Sequence, residues 1–202
     1  MKIAILGFGS VGKQFAALFS QAGYEIIIGL RSTPTQGLPY EAAAFKEAAE
    51  AADCIALAIP FDACADILPD LVEATKGKIV IDSTNPLNSD WSPKLLGEEN
   101  SAAEEINRLL PDADVVKAFN TIFADVMAQR AMDGQNITAF IAGDNDEAKQ
   151  MVIDLASNIG YAPLDTGSLS TARYLESLAH LNIQLAVGQG GGTSAAFIYL
   201  QQ

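Results

Sequence analysis

The 202-residue sequence predicts an α/β chain, a mostly parallel, doubly wound sheet followed by a short C-terminal helical extension. Short, predominantly apolar runs recur along it, and segments of helical spacing lie between them. Runs without a polar alternate suit strands covered on both faces, the usual condition of a parallel sheet. The stretch "KIAILGFGSVGKQF" adds a third observation, because Gly7, Gly9 and Gly12 stand in the order G-x-G-x-x-G between the first run and the first helical segment.

Residues 2–6 ("KIAIL") form the first strand and lead straight into the glycines. In the helix behind them, Val11, Phe15, Leu18, Phe19 and Ala22 fall on one face. Further strands are expected at 25–30 ("EIIIGL"), 53–59 ("DCIALAI"), 78–83 ("KIVIDS"), 114–119 ("DVVKAF") and 137–142 ("ITAFIA"). A late helix carries Ala148, Met151, Val152, Leu155, Ala156 and Ile159 on one stripe, with Asn145 as its cap and Gly160 as its stop. After residue 167 the alternation ends, which divides the chain into a Rossmann-like domain at 1–167 and a C-terminal helix and tail at 168–202. There "SLSTARYLESLAHLNIQLAVG" reads as one long helix, too apolar to be solvated on all sides. Its surplus surface packs on the sheet domain, on a second subunit in a homodimer, or over a substrate.

Twenty-five acidic residues against 12 basic ones leave a formal charge of -13. A field of that sign disfavours nucleic acid and anionic membrane surfaces, and the basic residues are too scattered to build a local exception. No uncharged apolar run approaches the ~18 residues of a membrane span. The start "MKIAIL" lacks the apolar core and cleavage site of a signal peptide, so a cytoplasmic location without membrane or nucleic-acid partners is expected. Cys54 and Cys64 match no metal or redox spacing and read as core residues.

The glycine turn follows a strand and opens an amphipathic helix, the context in which such a turn binds a dinucleotide. Gly7 permits the tight turn, Gly9 lets the backbone approach a pyrophosphate, and Gly12 lets helix and strand pack closely. The intervening Phe8, Ser10 and Val11 belong to the same expected cofactor site, where the helix N-terminus offers free N–H groups to phosphate. NAD binders place an acid at the end of the second strand, to hold the ribose hydroxyls. Here that position reads "GLRST", and Arg31, Ser32 and Thr33 suit a 2′-phosphate, so the expected nucleotide is NADP. The other strand ends are "AIPFD", "DSTNPL" and "KAFNT". Ile59 and Pro60 would lie against the cofactor, Asn85 and Asn120 offer neutral hydrogen-bonding groups near the nicotinamide, and Thr121 sits beside an acceptor.

The segments "GLRS", "VIDSTNPL", "ENSAAEEI", "VVKAFNTI", "AGDNDEAKQ" and "PLDTGSLSTARYLESLAHL", taken in this order with the glycine turn, resemble the NADPH-dependent reductases of the deazaflavin coenzyme F420. They also resemble the N-terminal reductase domains of the six-transmembrane metalloreductases. The resemblance implies NADPH on the glycine turn and Arg31–Ser32, facing a deazaflavin or a flavin such as FMN or FAD in a cleft closed by the C-terminal helix. Where the archaeal F420 reductases carry a histidine after the fifth strand, this chain has the asparagine of "KAFNT", a form closer to bacterial homologues and the metalloreductase domains, which pass hydride to an ordinary flavin.

Hydride transfer between two ring systems agrees with the residues that are scarce. The chain has one histidine, His180, set in the apolar "LAHLNI", and no nucleophile–base or metal-ligand constellation, so no catalytic residue is expected. Ring cofactors carry their own reactive atoms, and the protein mainly holds them face to face. Trp91, in the loop "NPLNSDWSPKLLGEENS", covers an acceptor ring or anchors its own loop. The competing reading is a catalytically silent NADP-binding sensor whose apolar helix serves association.

Overall fold

The computed structural model describes residues 1–32 and 37–201. Ten strands, β1 (Lys2–Leu6), β2 (Glu25–Leu30), β3 (Glu41–Ala44), β4 (Cys54–Leu57), β5 (Ile79–Asp82), β6 (Asp114–Ala118), β7 (Ala131–Met132), β8 (Gln135–Asn136), β9 (Thr138–Gly143) and β10 (Ala162–Asp165), occur among these residues. Their helices are α1 (Ser10–Gln21), α2 (Phe45–Ala51), α3 (Cys64–Ile67), α4 (Val72–Thr75), α5 (Ala102–Leu109), α6 (Ala124–Met127), α7 (Asp146–Asn158) and α8 (Ala172–Ile183). An eight-stranded sheet has the order β10-β9-β6-β5-β4-β1-β2-β3, while β7 and β8 form a separate hairpin. Only the β6–β9 pairing of the large sheet is antiparallel. This is the expected Rossmann-like sheet, and its order reverses between β1 and β4, where such folds open a crevice at the carboxyl ends of their strands.

Alternation along β1 separates the two cores. Ile3 and Ile5 join Phe15, Phe19, Leu155 and Ile159 on one face, whereas Ala4 and Leu6 join Ala48, Leu68 and Ile106 on the other. All six predicted strands are present, with β4 three residues shorter than expected, β5 two and β6 one, and β9 displaced by one residue. Within α1, Phe15, Leu18 and Phe19 are buried as the spacing predicts, but Ala22 is the exposed C-cap. The Asn145 side chain caps α7 by accepting from Glu147 N and Ala148 N, and Gly160 ends that helix at φ +95°.

Strands β3 and β10 and the small hairpin were not legible beforehand. "EAAA" has helical composition and becomes an edge strand only because β2 pairs with it. Pro163 in β10 is tolerated because that strand also lies at an edge. Asp133 and Gly134, both at positive φ, turn the hairpin between β7 and β8. The expected helix over 168–188 is present in three pieces: a 3-10 turn at Leu169–Thr171, then α8, then a wider turn at Gln184–Gly188. Leu169 and Ala172 pack into the second core. The tail returns to the sheet, where Phe197 O accepts from Thr138 N and Tyr199 N donates to the Thr138 hydroxyl.

Candidate active site

The three glycines have different surroundings. Gly7 lies at φ +104°, and a Cβ there would stand 2.5 Å from the Ala58 carbonyl oxygen. On Gly12 it would meet the Gly7 carbonyl oxygen at 2.2 Å. These two are glycine for the sake of the turn and the packing of α1. Gly9, by contrast, has no heavy atom within 4 Å of where its Cβ would be, and it opens onto a cavity.

That cavity measures about 720 Å³ and lies at the carboxyl ends of β1, β4, β5 and β6. Gly9, Ser10 and Val11 form one end, Ile59 and Pro60 a wall, and Asn85, Trp91, Asn120 and Thr121 line it further along. Helix α8 contributes Ala179, Asn182 and Ile183, α6 contributes Asp125 and Met127, and the tail contributes Thr193. Of the expected site residues, Phe8 instead packs edge-on against Tyr40, with Lys13 Nζ 5.9 Å from its ring centroid. Arg31 lines a second hollow of about 340 Å³ beyond β2, together with Lys46, Asp66 and Asp70. Ser32 is exposed, and Thr33 lies outside the described residues. Lys46 escaped the sequence reading, because only the β2–β3 pairing brings the start of α2 beside Arg31.

Asn85 and Asn120 are 35 residues apart in the chain and bond reciprocally. Asn85 Nδ2 donates to the Asn120 carbonyl at 2.8 Å, and Asn120 Nδ2 donates to Asn85 Oδ1 at 2.9 Å and to the Leu175 carbonyl at 3.1 Å. Asn120 Oδ1 and the Thr84 hydroxyl are buried without a hydrogen-bond partner. Both residues line the cavity, and such orphaned groups suit a ligand with an amide, as nicotinamide has. Beside them Phe119 is held at φ +65°, a strained conformation for a bulky residue at a strand end.

Behind this wall lies an ionic cluster that sequence inspection did not identify. Lys117 Nζ is fully buried, 2.9 Å from Asp82 Oδ2, 2.8 Å from Glu176 Oε1 and 2.6 Å from the Thr84 carbonyl oxygen. Burial alone depresses the Lys117 ammonium, but the two carboxylates outweigh it and raise its pKa above the ordinary lysine value. Asp82 Oδ1 also accepts from Thr84 N, and Glu176 accepts from Ala102 N and Ala103 N at the start of α5. The cluster therefore ties the loop after β5 to α8 and α5.

The remaining candidates have structural partners. His180 Nε2 lies 3.0 Å from the Pro86 carbonyl, which fits a packed histidine donating to the backbone. Burial pushes both Cys54 and Cys64 up to about 12, so neither is a ready thiolate at neutral pH. Trp91 is 56% exposed at φ +68°, in a turn where Trp91 N donates to the Asn88 carbonyl. Among the described residues no group of His, Cys, Asp and Glu is arranged to hold a metal ion, and no helix is long and apolar enough to cross a membrane.

Residues 2–86 match the family model described as NADP oxidoreductase, coenzyme F420-dependent. The F420-dependent NADP reductase of Methanothermobacter marburgensis is 32% identical, with 93% of each chain covered. The metalloreductase STEAP3 of Rattus norvegicus is 33% identical over 88% of this chain but only 36% of its own length, so the present chain spans about a third of that relative. A solved structure, that of a candidate F420-dependent NADP-reductase from Arthrobacter sp. FB24, superimposes with a TM-score of 0.89 at 32% identity and 100% coverage of both chains. Similarity along nearly the full length of the archaeal enzyme, together with the fold and the glycine turn, places this chain in the family of F420-dependent NADP reductases.

Proposed function

We propose that the protein passes hydride between NADP(H) and a deazaflavin or flavin ring held in the 720 Å³ cavity, with residues 1–167 carrying the nucleotide and residues 168–202 closing the acceptor side. The observation that carries this reading is the pairing of Asn85 with Asn120 at the strand ends, in a cavity that runs from Gly9 to residues of α8. Bound NADPH supplies the hydride. The chain's own residues bind, orient and exclude water. The α1 N-terminus and the space above Gly9 receive the pyrophosphate, and Arg31 with Ser32 and Lys46 takes the 2′-phosphate. Asn120 and Asn85 orient the nicotinamide carboxamide, while Ile59 and Pro60 support the ring. Trp91, Thr121 and the apolar side chains of α6 and α8 enclose the acceptor, and solvent at the cavity mouth serves its protonation. The exposed Leu181, Leu185 and Val187 on and just after α8 favour a homodimer in which this helix pairs.

The test follows NADPH absorbance anaerobically with the deazaflavin, FMN, FAD and riboflavin in turn. Turnover with any of these rings supports the reading, whereas tight NADPH binding with no turnover by any would favour a sensor.

Gly9→Ala separates cofactor binding from folding. Gly9 has φ −75°, open to any residue, and its Cβ would touch nothing in the protein. Stability should change by no more than about 1 kcal/mol, the range of a helix-cap substitution. NADPH affinity should fall at least about tenfold, roughly 1.4 kcal/mol, because the methyl group stands where the pyrophosphate approaches. Thermal melting and calorimetry measure the two effects, and an unimpaired affinity would remove Gly9 from the site.

A further inference from the structure

We propose that the acceptor end of this cavity selects for an uncharged side chain on the ring, so that a riboflavin-type or deazariboflavin-type nucleoside is used in preference to its phosphorylated or glutamylated form. The inference rests on the function proposed above and narrows its substrate class.

Only two charged residues line the 720 Å³ cavity, Asp62 in the segment after β4 and Asp125 on α6, and both are acidic and exposed. No lysine or arginine lines it, and the residues outside the described ones, 33–36 and 202, contain neither. The basic residues of the surrounding elements are already engaged. Lys94 Nζ lies 2.5 Å from Asp62 Oδ1, and Arg173 bonds Glu104 through both Nε and Nη2 at 2.9 and 2.6 Å. Lys117 is fully buried between Asp82 and Glu176. Asp125 accepts from the Thr193 hydroxyl, which leaves its charge uncompensated by any cation in that contact.

Cations free to meet a phosphate line the other end instead, in the hollow where Arg31 and Lys46 stand with Asp66 and Asp70, and the α1 N-terminus adds unpaired N–H groups there. A phosphate on the acceptor's side chain would enter beside the uncompensated Asp125 carboxylate and the Asp62–Lys94 pair, whose cation is already held, within a field set by a net charge of -13. Neutral hydroxyls and amides of Ser83, Asn88, Ser89, Thr121 and Asn182 line the same cavity and match a polyol.

Riboflavin and FMN provide a matched pair, with the same ring and a side chain that differs by one phosphate. With saturating NADPH under anaerobic conditions, kcat/KM for riboflavin should exceed that for FMN by about three- to tenfold at low ionic strength, the scale of one or two charge contacts near a wet surface. The ratio should approach one in about 1 M salt, where charges are screened beyond ~3 Å. The deazaflavin nucleoside and its phosphorylated, glutamylated form should behave alike. Asp62→Asn, which releases Lys94, and Asp125→Asn should each shrink the ratio at low salt.

FMN used as well as or better than riboflavin at low salt would overturn this inference and leave the hydride-transfer reading standing. A preference for riboflavin that salt does not change would overturn it as well, since charge is its stated cause. Turnover with none of these four acceptors would remove both readings together.

Discussion

Replacing Glu176 by alanine is expected to destabilise the protein by about 3–5 kcal/mol, the cost of breaking a buried ion pair from one side. Against a total stability on the order of 5–15 kcal/mol this is a large fraction. Glu176 is 4% exposed, and its loss would leave Asp82 as the only carboxylate facing the Lys117 ammonium and strip the Ala102 and Ala103 amides of their acceptor. Glu176→Gln retains an acceptor oxygen and should cost less than alanine. Urea unfolding at neutral pH provides the measurement, with a lower midpoint and unchanged slope as the expected signature. A midpoint equal to that of the unsubstituted protein would mean that the cluster contributes nothing net.

The same cluster predicts a pH dependence. Because the folded protein raises the Lys117 pKa above its ordinary value of 10.5, the folded state binds this proton more tightly than the unfolded chain does. The stabilisation is therefore fully present below pH 10.5 and is lost as pH rises through the raised value. Lys117→Met should consequently differ most from the unsubstituted protein at neutral pH, and the gap should narrow in alkali. A gap that widened above pH 10.5 would contradict the sign.

Arg31→Ala is expected to weaken NADPH binding roughly ten- to a hundredfold while leaving NADH almost unaffected. A hydrogen bond to a charged group contributes about 1.5–3 kcal/mol, and that range sets the size of the effect. The guanidinium lines the hollow beyond β2 with Lys46, and both cations are needed there because Asp66 and Asp70 line it too. A 2′-phosphate entering the hollow gains from the first pair and is repelled by the second, so losing one cation shifts the balance strongly. Calorimetry with each nucleotide tests this, and equal affinities for NADPH and NADH in the unsubstituted protein would end the phosphate assignment.

What proved legible in the sequence was local. The β1 strand, the glycine turn and the α1 helix follow one another within 21 residues, and the apolar period and glycine positions that announce them need no distant partner. The Asn145 cap and the Gly160 stop of α7 are likewise short-range devices. Even the placement of Asn85 and Asn120 in one cavity followed from a general property of doubly wound sheets, whose strands end on a common side.

The sequence by itself thus determined six strands of the sheet, the glycine turn and the list of polar groups at the strand ends. Only the tertiary structure decided which of those groups pair, because pairing depends on strand neighbours that are far apart in the chain. Asp82 and Lys117 are 35 residues apart and meet because β5 lies beside β6 in register. Glu176 reaches them from a helix whose apolar pattern left several packing partners open. Lys46 comes beside Arg31 because an alanine-rich segment, helical by composition, is held as strand β3 by the free edge of β2. In each case a long-range hydrogen-bonded or ionic partner overrode or completed a weak local preference, and such partners are fixed only when the chain closes on itself.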